Sequence, residues 1–161
     1  MAFWSDAKSS PLKNYRFKVQ GLLKNQWLVK SVSVPSFEVG QSSHQLLNHV
    51  AKVAGVLNWQ DITITTVADG ATLNELNSLM KSGGQDLTAY PLQNKGITSS
   101  FNGPLKNKII IDMLDADGKS VSGFEVRDWF IVGISFSTLD YSDDELFNIE
   151  VSIAYEYALI T

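Results

Sequence analysis

Period-two alternation runs through most of this chain. Tyr15, Phe17 and Val19 alternate with Arg16, Lys18 and Gln20, which puts an apolar row on one side of a strand and a polar row on the other. A second run at 27–34 follows a short polar turn at Lys24-Asn25, so the pattern predicts an opening hairpin. Pro35 ends it, having no N–H to give to a ladder. β-Branched residues predict a third strand over 57–67, with Ile62 and Ile64 on one face and Asp61, Thr63 and Thr65 on the other. Runs at 108–114 and 124–136 flank the segment 115–120, where Asp117-Gly118 signals a tight hairpin because both positions tolerate positive φ. After an acidic turn at 141–145, Phe147, Ile149, Val151, Ile153, Tyr155 and Tyr157 alternate with Asn148, Glu150, Ser152, Ala154 and Glu156. This final strand has one apolar face that must be buried.

One helix interrupts the strands. Thr72 and Glu75 have capping-box spacing, Leu73, Leu76, Leu79 and Met80 fall on one helical face, and Gly83-Gly84 supplies a stop. Two segments fit neither period. Residues 85–107 are rich in Gly, Asn, Gln and Ser and contain Pro91 and Pro104, which reads as a long loop. Residues 36–56 carry Phe37, Val39, Leu46, Leu47, Val50, Val53, Ala54 and Val56 with only Glu38 and Lys52 as charges. Such a segment either folds over its own sheet or forms an arm that buries itself against a neighbouring subunit. Together these elements predict a mainly β fold: an antiparallel sandwich or barrel of about six strands with one flanking helix.

Length and charge narrow the function. A chain of 161 residues is expected to form one domain over 1–161. Only 19% of residues are charged, which suggests a surface that is partly covered by other molecules. The net charge of −4 argues against sequence-independent binding of nucleic acid. With no cysteine, disulfides, zinc-thiolate sites and a cysteine nucleophile are excluded. No apolar run approaches a membrane span and the first residues lack a signal-peptide pattern, so the expectation is a protein made in the cytoplasm with no stable membrane association. Charge is unevenly spread: from Asp112 onward the acids outweigh Lys119 and Arg127 to give −9, leaving +5 on the first 111 residues. The two parts neutralise each other either within one molecule or head to tail between copies. The acidic turn with Asp143, Asp144 and Glu145 is a candidate for such a contact.

Motifs that tempt a chemical reading fail on spacing. Asp115-Ala-Asp-Gly is part of a calcium-loop pattern, but the twelfth position counted from Asp112 or Asp115 is Gly123 or Val126, where a bidentate Glu is needed. His44 and His49 are five apart, which does not suit a helical zinc pair. No phosphate-binding glycine loop and no familiar serine–histidine–acid context is present, so no catalytic, cofactor or metal residues are assigned. Trp4, Trp27, Trp59 and Trp129 read as core or interface anchors.

The order of these features resembles a family. The opening hairpin, Val34-Pro35, the long apolar and amide-rich arm, Asn58-Trp59-Gln60-Asp61-Ile62-Thr63-Ile64, Asp69-Gly70 and the helix are similar in order to the tail tube proteins of contractile-tailed bacteriophages of the T-even type. Phe124-Glu-Val-Arg-Asp-Trp-Phe-Ile-Val-Gly133 and the last strand ending Tyr155-Glu-Tyr157 match the placement of that family's closing hairpin.

The resemblance implies a mechanical role without turnover or cofactor. Homo-hexameric rings would stack into a tube within a sheath, bounded by baseplate and terminator proteins, in a virion assembled in the host cytoplasm. DNA would pass through the lumen without specific binding. Contact candidates are Phe37, Val39, Leu46, Leu47, Val50, Val53, Asp143, Asp144 and Glu145. Lumen candidates are the polar strand faces Asp61, Thr63 and Thr65 with Asn148, Glu150 and Ser152. Two alternatives stay open: a baseplate tube-initiator or inner-tube protein of a phage-like injection or type VI secretion device, and a monomeric β-barrel binding an apolar ligand between Trp59 and Trp129.

Overall fold

Two four-stranded antiparallel sheets face each other, and a two-stranded ribbon projects from them. The computed structural model describes residues 11–82 and 108–161, so the 85–107 loop, the Gly83-Gly84 stop and Trp4 lie outside it. The first sheet has the order β1 (Phe17–Gln20), β6 (Lys108–Leu114), β7 (Ser120–Arg127), β10 (Tyr157–Ile160). The second has the order β2 (Val29–Val32), β5 (Ile62–Val67), β9 (Asn148–Ala154), β8 (Phe130–Phe136). The ribbon is β3 (Phe37–Leu46) with β4 (His49–Trp59).

The architecture is the expected antiparallel sandwich with one flanking helix, but it has ten strands among the described residues where about six were expected. The difference arises where an apparently continuous run changes sheet. The 124–136 run breaks at Asp128-Trp129, where Asp128 takes a φ of 52° and Trp129 turns into the core. The 147–157 run breaks at Tyr155-Glu156, where the chain leaves β9 in the second sheet for β10 in the first. The 57–67 run is divided at Gln60-Asp61 between ribbon and sandwich. These short links also show how the layers stack, because β7 must end near the start of β8, and β9 near the start of β10. One flank of the sandwich therefore carries β10 and β8, and the other β1 and β2.

The expected opening hairpin does not form. β1 pairs with β6 and β2 with β5, so the two strands lie in different layers. Gly21 makes the exit: its φ is +99°, and a Cβ there would stand 2.3 Å from the Lys108 carbonyl oxygen. Leu22 and Leu23 then join the core between the layers, and a single 3₁₀ turn at Gln26–Leu28, with Leu28 buried, leads into β2. The hairpin at Asp117-Gly118 does form, joining β6 to β7, with positive φ at Gly118 but not at Asp117.

Alternation accounts for the core. Val19, Ile109, Ile111 and Val126 from the first sheet pack on Ile62, Ile64, Ile131, Ile149, Val151 and Ile153 from the second. Each such side chain contributes roughly 1.5–3 kcal/mol by leaving water. Thr66 is one of two buried polar residues, with Thr72, and its hydroxyl lies 3.2 Å from the Leu28 carbonyl oxygen, which ties β5 to the entry of β2. The helix α1 (Gly70–Ser82) puts Leu76, Leu79 and Met80 on this core while Leu73 stays largely exposed. Its cap is Asp69 rather than Thr72. The Asp69 carboxylate accepts the N–H groups of Ala71 and Thr72, and the Thr72 hydroxyl accepts the Asp69 N–H. Glu75, the expected capping partner, instead accepts the backbone N–H of Lys24.

Candidate assembly surfaces

Among the described residues the ribbon is the least covered element. Pairing of 37–46 with 49–59 gives the 36–56 segment an internal strand partner that the sequence had not revealed. At its root, Phe37 meets Trp59 edge-on at 5.3 Å between ring centres, and Trp59 meets Tyr155 at 5.7 Å. The Gln60 N–H donates to the Ser36 carbonyl oxygen at 2.9 Å and closes the base. Beyond the root the register shifts once, between Val39 and Gln41, with Gly40 opposite Gly55-Val56.

Directly opposed residues share a face. One face therefore carries Phe37, Trp59, Val39, Leu57, Ala54 and Val50, and the other carries Val53, Ala51, Leu46 and His49. Leu47 sits in the tip and is fully exposed. The six apolar contact candidates are thus brought into one ribbon but divided over its two faces and its end. Gln41, Ser43, Gln45 and Lys52 share the first face, and Glu38, Asn58, Ser42 and His44 the second, so each face exposes apolar side chains set among polar ones, and both are open.

The outward face of the second sheet is a polar field. Thr63 pairs with Ser152 and Thr65 with Glu150, so four of the lumen candidates stand side by side. Asn148 follows on the same strand face, opposite Val67. Asp61 precedes the start of β5, exposed and outside the paired register. The sequence had missed the outer columns of this field. Ser31 lies opposite Thr65, the Ser33 hydroxyl accepts the Thr63 N–H at 2.8 Å, and Ser135 lies opposite Glu150. Both edge strands contain a register shift, at Val29/Ser31 and Ile131/Gly133, which hid their alternation and which adds Lys30 and Val132 to this face.

The acidic turn is a solvated loop braced by its own side chains. The Asp140 carboxylate accepts the N–H and hydroxyl of Ser142, which holds its pKa below the ordinary value, and Asp143 accepts the N–H of Glu145 at 3.0 Å. Asp143, Asp144 and Glu145 are all exposed, as are Leu139, Tyr141 and Leu146 around them. On the outer face of the first sheet, Glu125 is held ionised by Lys108 at 2.9 Å, with Arg127 on its other oxygen.

Other candidates are not assembled into sites. Trp129 is buried in the core and Trp59 holds the ribbon root. A concavity of about 100 Å³ beside Pro11, Arg16 and the 115–117 turn includes neither of them. Asp115 is occupied by the backbone N–H groups of Asp117 and Lys119. Among the described residues no three His, Asp or Glu side chains gather to hold a metal ion, and no helix is long and apolar enough to cross a membrane.

No protein-family model and no curated protein matches this sequence. Solved structures do match it in fold. A chain of the anti-feeding prophage cap, a tube-terminating cap, superposes with a TM-score of 0.72 at 15% identity, covering 94% of this chain and 91% of that one. A chain of the sheath/tube terminator of the extracellular contractile injection system PVC gives a TM-score of 0.73 at 15% identity, covering 94% and 97%. A chain of the PVC sheath–tube complex gives 0.70 at 17% identity, covering 96% and 94%. The resemblance read from the order of sequence features therefore holds at the level of fold: over nearly its whole length, this chain has the tail-tube fold found in contractile injection systems.

Proposed function

We propose that this protein is a structural subunit of a contractile tail tube. Six copies close into a ring, rings stack inside a sheath, and baseplate and terminator proteins bound the stack. The ring neighbours cover the open strand edges, and the polar field of the second sheet lines the lumen. DNA passes along it without specific binding, and no turnover chemistry or cofactor takes part. The particle is a virion, assembled in the host cytoplasm.

The observation that carries this reading is the β3–β4 ribbon. A ribbon that exposes Phe37, Val39, Val50 and Leu57 on one face, Leu46 and Val53 on the other and Leu47 at its tip, and that packs on its own core only at the root, calls for partners on two sides. Stacked rings supply them. A second reading is an inner-tube or tube-end subunit of a phage-like injection device. It is favoured by the matching structures, which belong to an anti-feeding prophage cap and an extracellular contractile injection system.

Size-exclusion chromatography with negative-stain microscopy tests the shared part of both readings. The parent chain is expected to form rings or tubes. Deletion of 41–52 should leave a folded sandwich that cannot polymerise, because the core residues all lie outside the deleted segment. Normal tubes from the deleted protein would exclude the ribbon as the contact. A parent that never assembles would favour a monomeric ligand-binding barrel. Nucleic acid inside purified particles separates the phage reading from the injection device.

A further inference from the structure

Folding leaves the uneven charge of this chain on opposite flanks. Residues 11–36, which supply β1 and β2, carry Lys13, Arg16, Lys18, Lys24 and Lys30 and no acid. Residues 128–161, which supply β8, β9 and β10, carry seven acids and no Lys or Arg. The sheet orders put β1 and β2 at one flank, β8 and β10 at the other. The ion pairs of Glu125 with Lys108 and Arg127 lie on the first sheet and join neither flank to the other. Part of the charge is neutralised within the molecule, by Lys108 with Glu125 and by the pairing of Lys18 opposite Asp112, but no ion pair among the described residues joins the β1–β2 flank to the β8–β10 flank.

Each flank also carries exposed apolar groups. On the basic side Trp27 is 80% exposed. Its turn is held from three directions: Leu28 beside it is buried, the Asn25 amide donates to Asp69 at 3.3 Å, and the Lys24 N–H donates to Glu75 at 3.1 Å. The indole is thus presented on a braced backbone. On the acidic side the edge strands expose Phe136, Leu159 and Ile160, the last at 78%. Ile160 lies opposite Phe124 in the register of β10 with β7, on the side that faces the second sheet, so the margin of the sandwich is open there.

We infer that the occupant of each flank is a second copy of this chain, docked head to tail. Trp27 of one copy anchors against the Phe136 and Ile160 margin of the next, with Lys24 and Lys30 facing the acids. This rests on the tube reading and names its sideways contact. A head-to-tail contact with rotation closes a ring, whereas one that joined like flanks would stop at a dimer. Buried tryptophan at the centre of a contact carries a large share of binding, and a braced one loses little freedom on docking. The charges steer the encounter and forbid like-to-like pairing.

The absence of cysteine from the chain gives a clean test. A variant with Gln26→Cys and Thr161→Cys, which keeps Trp27 and Ile160 and places a thiol beside each, should yield a ladder of covalent oligomers when treated with a short bismaleimide under assembly conditions; either single variant should not. Trp27→Ala should keep the parent melting curve, because the side chain is exposed, yet need about tenfold more protein, or more still, to assemble. Lys24→Glu with Lys30→Glu should fail to assemble alone, as should Asp143→Lys with Asp144→Lys and Glu145→Lys. Mixed, the two variants should form rings, since each restores the opposite charge to the other's altered flank. Rings from the doubly substituted protein without a 26–161 crosslink overturn this contact and leave the tube reading standing. A parent that stays monomeric overturns both.

Discussion

At Asp69 one carboxylate both starts the helix and steadies the turn that carries Trp27. It accepts the N–H groups of Ala71 and Thr72, the Thr72 hydroxyl and the Asn25 amide. The Thr72 hydroxyl, with its backbone N–H next, favours the ionised form and draws the pKa below the ordinary aspartate value. A carboxylate depressed in the folded state adds stability above its unfolded pKa, and that stability is lost as pH falls through the folded value. Asp69→Ala should therefore lower the melting temperature by a few degrees at neutral pH. The gap to the parent should close in acid, below the ordinary aspartate range. Thermal melts by circular dichroism across that range decide it, and a gap that persists undiminished would show that the cap is not acting through its charge. The residue was hidden in the sequence because Asp69–Thr72 and Thr72–Glu75 have the same three-residue spacing. Only the position of Lys24, which claims Glu75, decides between them.

Among the elements, those with one buried face were readable and those with two open faces were not. Ile149, Val151 and Ile153 alternate strictly and are buried as the pattern required. In β4 the apolar residues come instead as Val50-Ala51, Val53-Ala54 and Val56-Leu57, a repeat of three that serves no single strand face. Gly55 sits where that repeat and the strand are reconciled. A Cβ there would come within 3.0 Å of the Gly40 carbonyl oxygen, so the two strands approach at the register shift because neither has a side chain. Gly55→Val should force the strands apart and re-aim the outer half of the ribbon. Since the ribbon adds no residue to the buried core, the melting temperature should stay within a degree or two of the parent while assembly is lost. Parallel melting and microscopy measure both, and a variant that forms ordinary tubes would show that the bend at Gly40 and Gly55 has no part in the contact. Where strands switch layers, at 21–28, 128–129 and 155–156, continuity of pattern concealed a change of partner that only tertiary packing imposes.

For the whole molecule, the decisive property is the surface that no neighbour covers. Alternation alone was enough to bring Thr63, Thr65, Glu150 and Ser152 together, because β5 and β9 are central strands with an unbroken period. Ser31, Ser33 and Ser135 were not legible, since the edge strands bulge. The assembled field is hydroxyl-rich, with Glu150 between Thr65 and Ser135 as its central charge and Lys30 at its edge. Under the proposed function this face presents hydroxyls and a repeated carboxylate to the cargo, with Lys30 drawn into the contact between neighbours, which gives a phosphate backbone little to bind. Glu150→Lys with Asp61→Lys reverses this without touching the core, as both side chains are exposed. Tubes should still assemble, but a helical array of new ammonium groups would attract DNA through counterion release. DNA ejection from particles built with the double variant should slow markedly at low salt and recover as salt is raised, in parallel with tubes verified by microscopy. Because Glu150 lies within the field and Asp61 outside the paired strands, the single variants should differ, with Glu150→Lys giving most of the effect. Ejection at the parent rate from well-formed tubes would mean that this sheet faces away from the channel.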